Sequence, residues 1–388
     1  MKRFMGVIVV ALLVLVGIYF LTQLIPDQLS VVKIGVVLPS TGKGANYGEK
    51  TRAGLDIAIE EYEKQRAIRR ISLIYEDSQG DPKTAVTAVK KLINVDKVVA
   101  IIGPIYSDNV LAVSPIVEKE KVTMLVTAAA SDKIREAGDF VFRNRVSASE
   151  ISTYLARYCY ETLGIESVSV LYENSANAID YKNTFIKEFK KKGGSIQIEE
   201  SFEKGGKDFR TQIAKTKDVQ PDTVFITGHA TEIGLFLRQA HELGLDAKFV
   251  STPGAESDDM LDIAGSAAEG LLLASEALDL TSDDSLIQEF RRKYKERMDK
   301  QEPDFFSANA YDAFRMIIRA GERHGFTSDG IKRGLNELKD FYGVSGRITF
   351  DKDGEVIKPL SIKAVKDGRF MVLEPPFVQK SNILGQKE

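Results

Sequence analysis

From about residue 32 onward, short runs rich in Val and Ile alternate with longer stretches whose apolar residues recur every three or four positions. The short runs read as buried strands and the longer ones as amphipathic helices, so their alternation predicts βαβ units around a parallel sheet. In the first series the pattern predicts strands over 32–38, 71–76, 98–102 and 122–126, with helices over 45–65, 82–93 and 110–119. Asp81 followed by Pro82 marks the second of these helices, as an N-cap and a first helical residue. A second series starts near Ser149, with helices to 163 and over 179–191, 209–216 and 232–243, and strands over 167–172, 195–202, 223–227, 248–250 and 271–275. After residue 277 the pattern turns helical (285–298, 308–323, 328–337) and closes in short strands around 347–350, 360–365 and 369–373. These late helices are expected to complete the first lobe, because its own series supplies too few to cover both faces of a parallel sheet. The chain then crosses between lobes more than once, and a cleft between hinged lobes is a common ligand site.

The start of the chain departs from this pattern. Lys2 and Arg3 precede an apolar run from Phe4 to Ile25, interrupted only by Thr22 and Gln23. A bilayer-spanning helix needs about 20 apolar residues, against about 7–15 for a signal-peptide core. Tyr19, Phe20, Leu21 and Leu24 stand where a cleavage site wants small residues, so an uncleaved anchor is expected, with the body of the protein on the extracytoplasmic face. No Cys lies in this region to carry a lipid.

Hydrophobic residues make up 43% of the 388-residue chain and charged residues 28%, which excludes a disordered protein. A formal net charge of −3 gives no basic surface for nucleic acid. The single cysteine, Cys159, excludes an intrachain disulfide and a cysteine-based zinc site; beside Leu155 and Leu163 on a helix face it reads as core filling.

Three loops leave the carboxyl ends of strands in the first lobe, where ligands of open α/β sheets bind. Pro39–Gly48 (PSTGKGANYG) resembles a nucleotide loop and fails its spacing, since Glu49 stands where the phosphate loop wants Gly and Tyr47 where the dinucleotide loop does. It is either a tight turn or a loop that hangs Tyr47 over a cleft. The second loop carries Ser107 and the third carries Ala128, Ala130 and Ser131; the two serines are placed either to cap helices or to meet a ligand. His229 follows a strand directly and so faces the cleft from the second lobe, as a hydrogen-bonding residue. With three histidines, no paired-histidine motif and no Gly-x-Ser-x-Gly elbow, no enzyme, cofactor or metal site is indicated. Asp351-Lys352-Asp353-Gly354 lacks the rest of a calcium loop and reads as a hairpin turn.

At these loops the sequence resembles the leucine/isoleucine/valine-binding protein family, the type I periplasmic binding proteins that feed ABC importers. The resemblance runs over about residues 32–375 and is carried by IGVVLPSTG (34–42) with Tyr47-Gly48, EDSQGDP (76–82), VAIIGP (99–104), Ala268-Glu269-Gly270, Tyr311-Asp312-Ala313 and residues 346–353. It implies an α/β fold of two doubly wound parallel-sheet lobes joined by a three-strand hinge near residues 147, 278 and 350. Lobe I would comprise 31–147 and 278–350, and lobe II 148–277 and 351–378, with 1–30 the anchor and 379–388 a flexible tail. The family's ligand serine falls on Ser107, its backbone contributors on Ala128 and Ala130, and its cleft aromatics on Tyr47 and Phe306. Its usual threonine is Ala130 here, with Ser131 beside it, its two second-lobe tyrosines are Asn177 and His229, and its acid is Pro253, with Glu256 or Asp258 near enough to substitute. What the resemblance implies is a binding protein that hands a small ligand to an ABC permease, the ligand being a carboxylate, amino-acid-like or aromatic compound and not a standard branched-chain amino acid. A sensory ligand-binding domain acting through a partner is the alternative; no output domain is seen in the sequence.

Overall fold

The computed structural model describes residues 31–373 apart from Lys43, residues 66–68, Ala277 and Thr281. The apolar run of residues 4–25, and with it the anchor expectation, lies outside the described residues, as does the tail. Among the described residues no helix is long and apolar enough to cross a membrane.

The first lobe is built on β1 (Val32–Leu38), β2 (Ile71–Asp77), β3 (Ala100–Ile102), β4 (Thr123–Val126) and β5 (Val141–Arg143), a parallel sheet in the order β2-β1-β3-β4-β5. Between the strands run α1 (Ala45–Lys64), α2 (Pro82–Lys91) and α3 (Ser107–Glu120). Asp81 caps α2 as expected, its carboxylate accepting from the Thr84 N–H at 2.9 Å. β5 has no counterpart in the sequence reading: three residues ending in Arg143 are too short for a periodicity to show, and only the pairing with β4 makes them a strand.

α4 (Ala148–Arg157), capped by Ser147, opens the second lobe. Its sheet takes β6 (Ser167–Glu173), β7 (Ser195–Phe202), β8 (Thr223–Thr227), β9 (Lys248–Ser251) and β10 (Leu272–Glu276), linked by α5 (Ala176–Lys192), α6 (Arg210–Val219), α7 (Ala230–Glu242) and α8 (Asp258–Ala264). The order β7-β6-β8-β9-β10 repeats that of the first sheet, with the same parallel sense. In each sheet the order reverses beside the first strand, β1 or β6, and crevices at such reversals are where α/β sheets bind ligands.

The chain then returns. α9 (Ser285–Arg297), α10 (Phe305–His324) and α11 (Ser328–Asn336) pack on the first lobe, where Ser328 Oγ accepts from the Thr123 N–H of β4 at 2.7 Å. α10 crosses α1 so closely that a Cβ at Gly54 would lie 2.1 Å from the Ser307 carbonyl oxygen; only glycine fits there. After β11 (Phe341–Gly343), β12 (Gly346–Phe350) and β13 (Val356–Ile357), the strand β14 (Leu360–Lys366) joins the second sheet antiparallel to β10, and β15 (Arg369–Val372) pairs antiparallel with β14 at its edge. The turn between β12 and β13 is the Asp351–Gly354 hairpin; its Asp351 and Asp353 carboxylates hold Arg135 at 3.2 and 3.1 Å.

Three segments therefore connect the lobes, and they are stapled together by buried polar groups. Glu276 accepts from the Val146 N–H at 2.6 Å and from Asn309 Nδ2 at 3.0 Å, and lies 3.3 Å from Arg145 Nη1. Lys358 donates to Asn309 Oδ1 at 2.6 Å, and Arg143 pairs with Glu355. Cys159 is fully buried in the core, and burial pushes its thiol up to about 12.

Candidate functional site

The carboxyl ends of the two sheets face each other, so the loops singled out in the sequence meet across one cleft. In the first loop, the Ser40 N–H and the Thr41 hydroxyl are bound by Asp77 at 2.8 and 2.5 Å, which pins the turn to the end of β2. Gly44, with φ +89°, brings the backbone under Tyr106: a Cβ there would sit 1.7 Å from the Tyr106 hydroxyl oxygen. The glycines thus serve a tight turn, and the turn also aims Tyr47. The Tyr47 ring is buried on Phe306 with centroids 4.7 Å apart, and its hydroxyl oxygen accepts from the Ala230 N–H of α7 at 3.1 Å. Burial drives the phenol well above its ordinary range, so it stays neutral. Tyr47 reaches past the cleft and satisfies one of the orphan N–H groups that begin a helix of the other lobe.

Ser107 opens α3 without capping it. Its Oγ accepts from the Ser131 N–H at 3.1 Å, which leaves its own proton available to an acceptor in the cleft. Ser131 is also no cap: its hydroxyl donates to Asp180 of α5, which further accepts from the Asp132 N–H at 3.0 Å. Its carbonyl takes a bond from Arg143 at 2.8 Å. Ser131 therefore spends its proton on lobe-to-lobe contact, while its hydroxyl oxygen keeps the acceptor capacity that the missing threonine would have offered. Ala130 is buried with its carbonyl on the Ala148 N–H at 2.7 Å, and Ala128 is half-buried on the same loop.

From the second lobe, His229 stands at the N-cap position of α7 with its Nδ1 2.8 Å from both carboxylate oxygens of Glu173 and its N–H on the same group at 3.2 Å. Burial alone would raise the Glu173 carboxyl; the bonds from His229 and the charge of Lys204 overcome it and hold the carboxyl below its usual value. The His229 ring lies edge-on to Tyr106, with centroids 5.2 Å apart. Asn177, near the start of α5, has a buried Oδ1 with no hydrogen-bond partner. Pro253 is buried at the head of a short turn, Pro253–Ala255. Asn46 meets Asp259 of α8, and Lys50, buried 3.4 Å from Asp304, also feels Asp258 and Asp259. Together with Tyr47–Ala230 and Ser131–Asp180, these contacts hold the lobes against each other in a closed arrangement.

The cleft also contains groups that the sequence reading passed over. Arg145 is buried with its guanidinium carbon 3.9 Å over the Phe305 ring, and Tyr181 of α5 lies beside it. Glu256, noted as a substitute acid, is buried with one carboxylate oxygen on Lys363 of β14 and the other without a partner. The signal for Arg145 was present as a second arginine in the apolar run Phe140–Val146, where a charge needs a partner that the local sequence does not contain. Among the described residues no group of three metal-ligating side chains occurs.

An arrangement of aromatic walls, a hydroxyl donor and buried charges between two closing lobes is suited to enclosing a small polar molecule. Residues 31–369 match the model of the periplasmic binding protein family. The chain is 28% identical over 332 residues to the leucine-, isoleucine-, valine-, threonine-, and alanine-binding protein of Pseudomonas aeruginosa, a span of 84% of this chain and 87% of that one. Among solved structures, it superposes on a leucine binding protein from Thermotoga maritima with a TM-score of 0.84 and 30% identity, over 90% of this chain and 99% of the other. It also superposes on a solute binding protein of an ABC transporter from Rhodopseudomonas palustris in complex with 3,4-dihydroxy benzoic acid, with a TM-score of 0.82 and 25% identity over 91% and 99% of the two chains. The chain belongs to the periplasmic binding protein family, as an extracytoplasmic substrate-binding protein of the ABC-transporter type.

Proposed function

We propose that this protein captures a small polar ligand lacking an α-ammonium group and delivers it to an ABC permease, the two lobes closing over it. Tyr47, Ser107, Asn177, His229 and Phe306 face the ligand in this reading, with backbone from Ala128 and Ala130. The observation that carries it is Pro253. At the position where the family's acid falls, this chain has a buried ring that opens a turn. An ammonium enclosed at Pro253 would lose its hydration without an anion at that position, at a cost of several kcal/mol, and the nearby Glu256 carboxylate already has its charge compensated by Lys363. The acceptor-binding half is intact, since the Ser107 hydroxyl keeps its proton for a ligand oxygen. The Rhodopseudomonas relative with its bound dihydroxybenzoic acid supports the view that this scaffold accepts a carboxylate with no α-amino group.

Calorimetry against the standard amino acids and a panel of small carboxylates, together with mass spectrometry of whatever the purified protein releases on denaturation, tests the proposal. Submicromolar binding of leucine, isoleucine or valine would sink it. The protein is further proposed to stay tethered through residues 4–25; membranes washed with carbonate retain it if so, and a soluble form beginning near residue 27 would show cleavage instead.

A further inference from the structure

Arg145 is nearly fully buried at the junction of the lobes, with Phe305 of the first beneath it and Tyr181 and Glu256 of the second beside it. Its Nε and Nη1 have no hydrogen-bond partner; the Glu276 carboxylate, 3.3 Å from Nη1, lies in ion-pair range without hydrogen-bond geometry. Glu276 is in any case divided among the Val146 N–H, Asn309 and Lys358, the last at 3.9 Å. Tyr181 bonds to this guanidinium, but a guanidinium has five donors, and burying those of Nε and Nη1 unpaired is expensive. On the other side of the same junction, Glu256 Oε2 is buried and unpartnered while Oε1 binds Lys363. Phe305 carries the cluster to the proposed aromatic wall of the cleft, since its ring lies 4.1 Å from Phe306, which stacks on Tyr47.

We propose that Arg145 and Glu256 are the specificity-determining pair of the cleft: Arg145 receives a ligand carboxylate, and Glu256 Oε2 receives a neutral hydrogen-bond donor, such as a hydroxyl, elsewhere on the same ligand. The donor is neutral because Lys363 already compensates the Glu256 charge, so an ammonium at Oε2 would sit beside a second cation. The ligand class is a hydroxy-monocarboxylate. This rests on the reading of the cleft as the solute site and narrows it.

The test uses the full chain and three acids, 4-hydroxybenzoate, lactate and 2-hydroxyisocaproate, each paired with its primary amide, and with benzoate as the acid lacking a hydroxyl. At least one of the three acids is expected to bind about 30-fold tighter than its amide, the worth of a charge-assisted bond. Arg145→Met should collapse that acid-to-amide ratio to about one while Arg145→Lys recovers part of it, and Glu256→Gln should lower the preference for hydroxylated over unsubstituted acid. A hinge role alone would change all ligands alike and leave the ratios intact. Arg145→Met protein that shows a native circular-dichroism spectrum and keeps the ratio overturns the proposal, as does failure of all three acids to bind wild-type protein. If a neutral compound is found in the cleft and closes the lobes, the proposal fails while solute capture stands; if no small molecule binds, both fail.

Discussion

Replacing Tyr47 by Phe removes one oxygen and keeps the ring stacked on Phe306. In the closed arrangement that oxygen is the acceptor for the buried Ala230 N–H at 3.1 Å, and the N–H opens α7 without another backbone carbonyl in reach of its helix. In an opened cleft both groups meet water, so the substitution penalises the closed state alone. A buried donor left unpaired costs about 1–3 kcal/mol. That lowers the closed-to-open ratio, and with it the apparent ligand affinity, by about 5- to 150-fold. A fluorescent pair placed on the two lobes reports the closed fraction, and calorimetry reports the affinity; the two should fall by the same factor. The partner of the bond can be removed as well, because Ala230 is the first residue of α7, where proline is tolerated, and His229 before it has the extended conformation (φ −94°, ψ 159°) that a following proline requires. The losses in Tyr47→Phe and Ala230→Pro should therefore fail to add in the double variant. Additive losses, or wild-type affinity in Tyr47→Phe, would refute the view that Tyr47 acts as an interlobe latch.

Three further outcomes follow from buried groups. The Glu173 carboxyl is held below its usual value by His229 and Lys204 against the opposing effect of burial, so it contributes stability above the unfolded-state pKa of about 4.3 that is lost as pH falls through the lower folded value; the melting temperature of Glu173→Gln should be lower than wild type near neutral pH and the gap should close in acid. Glu276→Ala removes the acceptor of two bonds at 2.6 and 3.0 Å and leaves buried Arg145 without its ion-pair partner, so denaturant titration should show a loss of about 3–5 kcal/mol. Gly54→Ala drives a methyl to 2.1 Å from the Ser307 carbonyl oxygen and should cost about 1–3 kcal/mol as α1 and α10 part, read as a lowered melting temperature; an unchanged one would show that the helices have slack.

The strands and helices of both sheets were legible because each states its period locally: β1 and β8 as short β-branched runs, α1 and α10 as repeating apolar faces. Asp81-Pro82 announced a helix start, and Ser107, Ala128 and His229 were placed at strand carboxyl ends by their position after a strand alone. The strands and α-helices that went unread are β5, β11, β13 and α8, of two to seven residues, too short to display a period and defined by their packing. The site divides in the same way. That Tyr47 and Phe306 would share a wall was expected from the family resemblance, but the bond from Tyr47 to Ala230, the diversion of the Ser131 hydroxyl to Asp180, and the meeting of Arg145 with Glu276 and Glu256 join residues 183, 49 and more than a hundred positions apart. Periodicity records which side of a helix or strand is buried, a property of neighbours in the chain. Which buried charge faces which depends on how two sheets and three crossing segments are brought together, and a hydrogen bond with a reach of about 3 Å is made or missed only at that stage.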